Sequence, residues 1–389
     1  MIGGPVRRRV FPLCACRFPR GRRVAVVSAI VWLLFATGCA VRLPLPGAGR
    51  SGVALRGSVA VGPPERPFVF RSASEIVLAT RDRMIARHPG HYTDAGFTRD
   101  NSHVYALDAT GTVRAVEARG GTMLPGSIDC RCDRVFPLHD TTVGWWRPPG
   151  DFVQADLHEP NPAVRVTISL PPPEDPVAPG NLLGVARLLA ADDRTLVLAE
   201  TESPPGASWG LTHLFSAETD TGAVRPLGRI DGVNTAVDRV ALHPSGRELA
   251  MPGYQRDGKT CGTARLLWME LSAARPERLD LPPDAGCSIL IDVRWDAGVL
   301  TVAELQWQPG TPDRPTAGVV WSRRGAGWER RGGDDVLRHL TLTPSATVQL
   351  RRGDHDRVHT EHTGELVLAT DDEVRVLAHD VLEVRLPYP

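Results

Sequence analysis

With 389 residues, 45 basic and 45 acidic, the chain is long enough for two domains or for one array of repeats. Its first 38 residues hold seven arginines and no acid, so the remainder is acid-rich by seven charges and lacks the basic excess of a nucleic-acid binder. The 38 glycines and 34 prolines are spaced fairly evenly, which suits many turns better than one disordered tail.

Residues 1–38 read as a targeting segment. Arginines 7, 8, 9, 17, 20, 22 and 23 precede an apolar run from Val24 to Ala36, and Thr37-Gly38-Cys39 closes it. A positive region, an apolar region and small residues before a cleavage point are the parts of a secretory signal. The Gly-Cys ending resembles the lipobox of bacterial lipoproteins, L-[AS]-[GA]-C: Gly38 and Cys39 fit, while Ala36 and Thr37 depart from it. The resemblance implies a diacylglycerol on the Cys39 sulfur and a lipid anchor on the outer face of the cell membrane. An uncleaved anchor is the competing reading, because Val24–Val41 approaches the length that spans a bilayer. Residues 39–66, rich in Gly, Pro, Ala and Arg, read as a flexible tether, and 67–389 as the folded domain.

The folded part opens with Phe68-Val69-Phe70 and the strand-like Glu75–Thr80. Near the other end, Glu365–Thr370 differs from Glu75–Thr80 only in Leu366 against Ile76. Chance likeness of β-rich stretches is one explanation; the other is that both termini supply equivalent strands and close a ring. Between them, strand-like runs flank turn signals at Asp100, Asp140, Asp193, Ser245, Asp296 and Ser345, at intervals of 40, 53, 52, 51 and 49 residues. No segment beyond Thr37 keeps helical apolar spacing for three turns.

One repeat shows the pattern in full. Val240-Ala241-Leu242 leads into His243-Pro244-Ser245-Gly246, a turn that Pro244 and Gly246 favour, and then Glu248-Leu249-Ala250-Met251. Ala264–Leu271 and Pro276–Leu281 supply a third and a fourth strand. Four short strands in about fifty residues are the mark of a propeller blade. The segment resembles the TolB-like and WD40-like repeat, S-P-D-G-x-x-L-A, with His243 at the serine and Ser245 at the aspartate. The expected fold is therefore an all-β propeller of seven four-stranded antiparallel blades, with six or eight as alternatives.

Four cysteines remain beyond Cys39: Cys130, Cys132, Cys261 and Cys287. An even number in an exported chain predicts disulfides, and four cysteines allow three pairings. A Cys261–Cys287 bridge would staple adjacent blades, leaving Cys130 and Cys132 to pair in a small ring. His355, His359 and His362 form the one histidine cluster, but in an extended strand the third points away from the other two. The acidic pairs Asp192-Asp193, Asp334-Asp335 and Asp371-Asp372 lack the alternating spacing of a calcium loop. No metal or other cofactor is expected.

Gly206-Ala207-Ser208-Trp209-Gly210 matches the G-x-S-x-G nucleophile elbow, yet a strand-like run follows where the elbow needs a helix. Trp209 shares that loop and is a candidate for a binding rim. Most of the other tryptophans after the signal sit in strand-like runs and are expected to pack between blades. The TolB-like resemblance implies partner binding. The expectation is thus a non-enzymatic, membrane-tethered, extracytoplasmic binding platform for an envelope protein or a peptidoglycan-associated partner. The alternative is a propeller enzyme or carbohydrate-binding protein whose site is assembled from several blades. The two differ at the centre: charged groups with strongly shifted pKa values favour the second, an apolar aromatic rim the first.

Overall fold

The computed structural model describes residues 66–389, apart from 208–209, 231–236, 238, 257–260, 274, 283–285, 312–314 and 354–361. Cys39, Ser208, Trp209, His355 and His359 lie outside the described residues. Among the described residues every regular element is a strand.

The chain begins with β1 (Phe68–Ser72), β2 (Glu75–Ala79) and β3 (Met84–Pro89). A second sheet follows from β4 (Tyr92–Phe97), β5 (His103–Asp108), β6 (Thr112–Glu117) and β7 (Met123–Asp129). The third comprises β8 (Phe136–Pro137), β9 (Thr142–Arg147), β10 (Asp151–Asp156) and β11 (Ala163–Thr167). The fourth has β12 (Leu182–Leu183), β13 (Arg187–Ala191), β14 (Thr195–Ser203), β15 (Leu211–Glu218) and β16 (Val224–Ile230). The fifth has β17 (Ala241–Leu242), β18 (Glu248–Arg256), β19 (Gly262–Glu270) and β20 (Glu277–Leu279). The sixth has β21 (Cys287–Asp296), β22 (Val299–Trp307), β23 (Ala317–Arg324) and β24 (Gly327–Arg331). Last come β25 (Val336–Thr343), β26 (Ala346–Arg352), β27 (Gly364–Thr370) and β28 (Val374–Arg385), which join β1–β3 in one seven-stranded sheet. All strand pairs are antiparallel, and short turns connect most of those that are consecutive in the chain.

Five of the six turn signals mark the turn between the first and second strands of a four-strand run, and Asp193 marks the turn between β13 and β14 of the fourth sheet. Asn101 takes a φ of 60°, Asp140 of 45° and Ala297 of 49° at three of these turns. At a fourth, the Asp192 carboxylate accepts the Arg194 and Thr195 amides at 2.9 and 2.7 Å. In the fifth sheet His243 Nδ1 accepts the Ser245 amide at 3.0 Å, so an imidazole caps the turn. Gly246 has a φ of 68°, and a Cβ there would meet the Asp192 carboxylate at 2.6 Å. Glycine is required at that position both for the turn and for the approach of two neighbouring turns.

Inner strands such as β5 and β22 are buried on both faces, whereas the outer strands β3, β11 and β24 are largely exposed. The cause is that each sheet packs face to face on the sheets before and after it. Val69 and Leu78 pack with Phe97 and Val104, Leu107 and Val113 with Val143 and Trp145. Phe152 meets Leu196 and Phe215, Val197 meets Leu249 and Met251, and Leu266 meets Leu300 and Val302. Leu305 then packs with Leu337, Val348 and Phe68, which returns the succession to the sheet where it began. This closed succession of sheets is the propeller arrangement. Tryptophans reinforce it, as expected: Trp146, Trp295 and Trp328 donate their indole N–H to Ala186, Ala241 and Asp280 carbonyls of adjoining sheets.

The count of seven blades is corrected. Five sheets stand as separate four- or five-stranded blades, and the remaining seven strands form one continuous sheet. The reason is the length of β28, which has twelve residues. Its first part pairs with β27, and from Val381 onward it pairs with β1. Asp380, with a φ of 55°, marks the change of direction between the two parts. The near-identical segments are β2 and β27, which lie in this one sheet with β28 and β1 between them. Two strands from opposite ends of the chain therefore do pair, as the sequence suggested.

Both expected disulfides are present. Cys261, just before β19, bonds Cys287 at the start of β21 with a Cα separation of 5.7 Å, which ties the fifth sheet to the sixth. Cys130 bonds Cys132 with a Cα separation of 5.1 Å, and the Gly111 carbonyl accepts both the Cys130 and Arg131 amides at 3.0 Å.

Candidate functional site

A cluster of charged side chains sits where the sixth, first and second sheets converge. On β21 the residues Asp292, Arg294 and Asp296 alternate along one face. On β28 Glu383 and Arg385 share a face while Val384 enters the apolar core. β25 contributes Arg338, β1 contributes Arg71, and β4 contributes Asp94.

Glu383 is the hub. Arg385 Nε donates to it at 2.8 Å. Arg338 lies 3.5 Å and Arg71 3.6 Å from its carboxylate. Arg338 also reaches Asp292 at 3.7 Å, which links β25 to β21. Arg294 pairs with Asp292 and, at 2.9 Å, with Asp296, and it donates to the His339 carbonyl at 2.8 Å. Arg71 donates to the Tyr92 carbonyl at 3.0 Å, which ties the first sheet to the second.

Burial by itself would raise both acids, but the arginines outweigh it. Arg385, Arg338 and Arg71 hold Glu383 at about 2. Arg338, Arg294 and Arg385 hold Asp292 at about 2. Asp94 goes the other way, raised first by burial and then by the Glu383 charge, against the pull of Arg385 and Arg134. Burial, followed by Asp94, pushes the Tyr105 phenol well above its ordinary value. Burial and then Arg294 lower His339, which favours its neutral form. Arg71, Arg294, Arg338 and Arg385 thus interleave with Glu383, Asp292 and Asp296, and Arg134 acts on Asp94 beside them.

None of these residues was singled out from the sequence. Opposite charges two apart in a strand, as in Asp292-Val293-Arg294 and Glu383-Val384-Arg385, look like a solvated face. A signal was available in their position: Asp94, Asp292 and Arg338 all stand on the strand just before a turn signal.

A second buried pair lies in the fourth sheet. Glu202 on β14 and His213 on β15 are 2.9 Å apart, with Glu202 fully buried. The same carboxylate accepts the Ala178 amide at 2.8 Å and the Asn181 side-chain amide at 2.7 Å, so it pins the segment that leads to β12. Burial opposes ionisation of Glu202, but these bonds together with His213 leave its pKa lowered. After the elbow-like segment, Leu211–Glu218 is a strand, so the described residues around Ser208 do not form a strand–turn–helix. Among the described residues no group of three His, Cys, Asp or Glu could hold a metal ion. A groove of about 600 Å³ runs between the fourth and fifth sheets past Glu218, Arg225, Arg247 and Glu270, apart from the charged cluster.

No protein-family model and no curated protein matches the chain. Solved structures similar to it are of distant sequence. An oligogalacturonate lyase from Vibrio parahaemolyticus is 11% identical, with 81% of this chain and 85% of that chain covered and a TM-score of 0.47. The β-propeller domain of Swd1 from Myceliophteria thermophila is 13% identical, with 74% and 90% covered and a TM-score of 0.48. BamB from Moraxella catarrhalis is 13% identical, with 80% and 86% covered and a TM-score of 0.35. The class of protein is thus an all-β propeller, as the sheet topology defines it. The expectation of a non-enzymatic protein is corrected, because the similar chains include a lyase. The missing linear motif was weak ground for that expectation, since a site drawn from several sheets leaves none.

Proposed function

We propose that the chain is an exported propeller that binds a small polar ligand at the charged centre around Glu383. The observation that carries this reading is the spread of the cluster over strands of different sheets, with the Arg385 side chain 51% exposed at its edge. Buried ion pairs are poor stabilisers compared with apolar packing of the same volume, because desolvation offsets their attraction. A centre of this composition is better suited to recognition. Ligand binding is also the step that a carrier and an enzyme on this fold have in common. A thermal-shift screen of sugars, organic acids and amino acids tests it. At least one compound is expected to stabilise the protein and to lose that effect in Arg385→Ala. A screen whose every hit stabilises Arg385→Ala equally would move the site elsewhere.

The finer TolB-like assignment and the membrane tether belong to the same proposal, the tether resting on Gly38-Cys39 at the end of the apolar run. The expected intact mass is that of a chain beginning at Cys39 with a diacylglycerol added; a mature N-terminus far from Cys39 would end the lipid reading. A protein partner in the envelope is the second reading. It is favoured by Leu182 and Val185, which are 62% and 66% exposed beside one another at a sheet edge.

A further inference from the structure

The arginines of the charged centre are not equivalent. The side chains of Arg71, Arg294 and Arg338 are 10%, 17% and 11% exposed, and each bridges a carboxylate and a backbone carbonyl. Arg385 is 51% exposed and bonds only Glu383, through Nε and Nη2, among the described residues. Glu383 therefore fixes the plane of the Arg385 guanidinium by one edge. The outward hydrogens of Nη1 and Nη2 remain on the other edge, in the fork that matches two oxygens on one atom.

We infer that the group recognised at this centre is a compact oxyanion, a carboxylate or a phosphate, seated on the outward edge of Arg385 beside Asp94. The inference rests on the ligand-binding reading above and narrows it to a chemical class. Two features favour an anion. Glu383 is already shared among Arg71, Arg338 and Arg385, so it does not fully neutralise the last of these. Burial and Glu383 raise the Asp94 carboxyl, which lessens its repulsion of an anion. The other ionisable groups around this edge are Arg134, Asp292, Tyr105 and Tyr388, and burial keeps the Tyr105 phenol protonated.

Isothermal titration of the full chain with citrate, inorganic phosphate and glucose tests the class. Citrate or phosphate is expected to bind saturably, and which of the two binds separates a carboxylate site from a phosphate site. Arg385→Gln is expected to weaken that binding about tenfold or more, the usual consequence of losing a bidentate charged contact. Arg385→Lys keeps the pairing with Glu383 but not the fork, so a smaller loss is expected; it serves as the test variant if Arg385→Gln does not fold. Asp94→Asn is expected to bind as tightly or more tightly, since its amide donates without charge. Arg119→Gln, an exposed arginine outside the centre, controls for non-specific attraction. Anion binding that survives both Arg385 variants, or no anion binding at all, overturns the inference. Arg385-dependent binding of glucose alone would also overturn it, while leaving the polar-ligand reading intact.

Discussion

A chain ending at Asp380 is expected to lose cooperative unfolding and to aggregate. Residues 381–389 supply the part of β28 that pairs with β1, at Val69, Phe70, Arg71 and Ser72. Val381 and Val384 are 0% and 2% exposed within the core that also holds Phe68 and Phe70. Beyond the strand, Asn101 donates to the Tyr388 carbonyl at 3.0 Å and accepts its amide at 2.7 Å, while Arg99 lies 4.3 Å over the Tyr388 ring. Each buried valine contributes about 1.5–3 kcal/mol. The truncation also leaves β1 as an open edge and removes Glu383 from among its arginines. Together these losses compare with the roughly 5–15 kcal/mol that holds a domain folded. An open edge beside an uncovered apolar face is a template for association. The opposing view treats the last strand as a dispensable appendage. Thermal unfolding and gel filtration decide: a soluble, monomeric truncation that melts at the parent temperature would sink the closure account.

Glu383→Ala, with the terminus intact, is expected to cost about 3–5 kcal/mol, the usual penalty for removing one partner of a buried ionic cluster. Arg71, Arg338 and Arg385 would then face one another without the carboxylate that joins them. The same residue predicts an acid limb. Glu383 and Asp292 are held at about 2 in the fold, against 4.5 and 3.8 for the free side chains. Their folded pKa values are depressed, so their stabilisation is complete above the unfolded values and fades as pH falls from about 4.5 towards 2. Shifts of this size correspond to roughly 2–3 kcal/mol apiece. Urea midpoints measured between pH 6 and pH 2.5 should therefore fall steeply in the parent and more gently in Glu383→Gln. Parallel pH profiles for the two proteins would show that Glu383 is not the titrating hub.

The turn signals were legible because turns are local. Asp100, Asp140, Asp193, Ser245, Asp296 and Ser345 mark positions where a short polar side chain must satisfy backbone donors or tolerate a left-handed residue, and that chemistry is visible in four adjacent residues. The disulfide Cys261–Cys287 was legible for a related reason, since one cysteine lies beside each of two consecutive repeats. The number of separate blades was not. Whether β28 ends at Asp380 or carries its pairing on to β1 depends on where the other end of the chain lies, three hundred residues away in sequence.

By itself the sequence determined the all-β class and the repeat spacing, because apolar runs and turn residues act over a few positions. Only the tertiary structure decided that Asp94, Asp292, Arg338, Glu383 and Arg385 belong to one group. Their charges lie on different strands, and each looks solvated within its own segment. Coulomb interaction depends on distance in space, so a depressed Glu383 and a raised Asp94 exist only once the sheets bring those strands together and exclude most of the water between them.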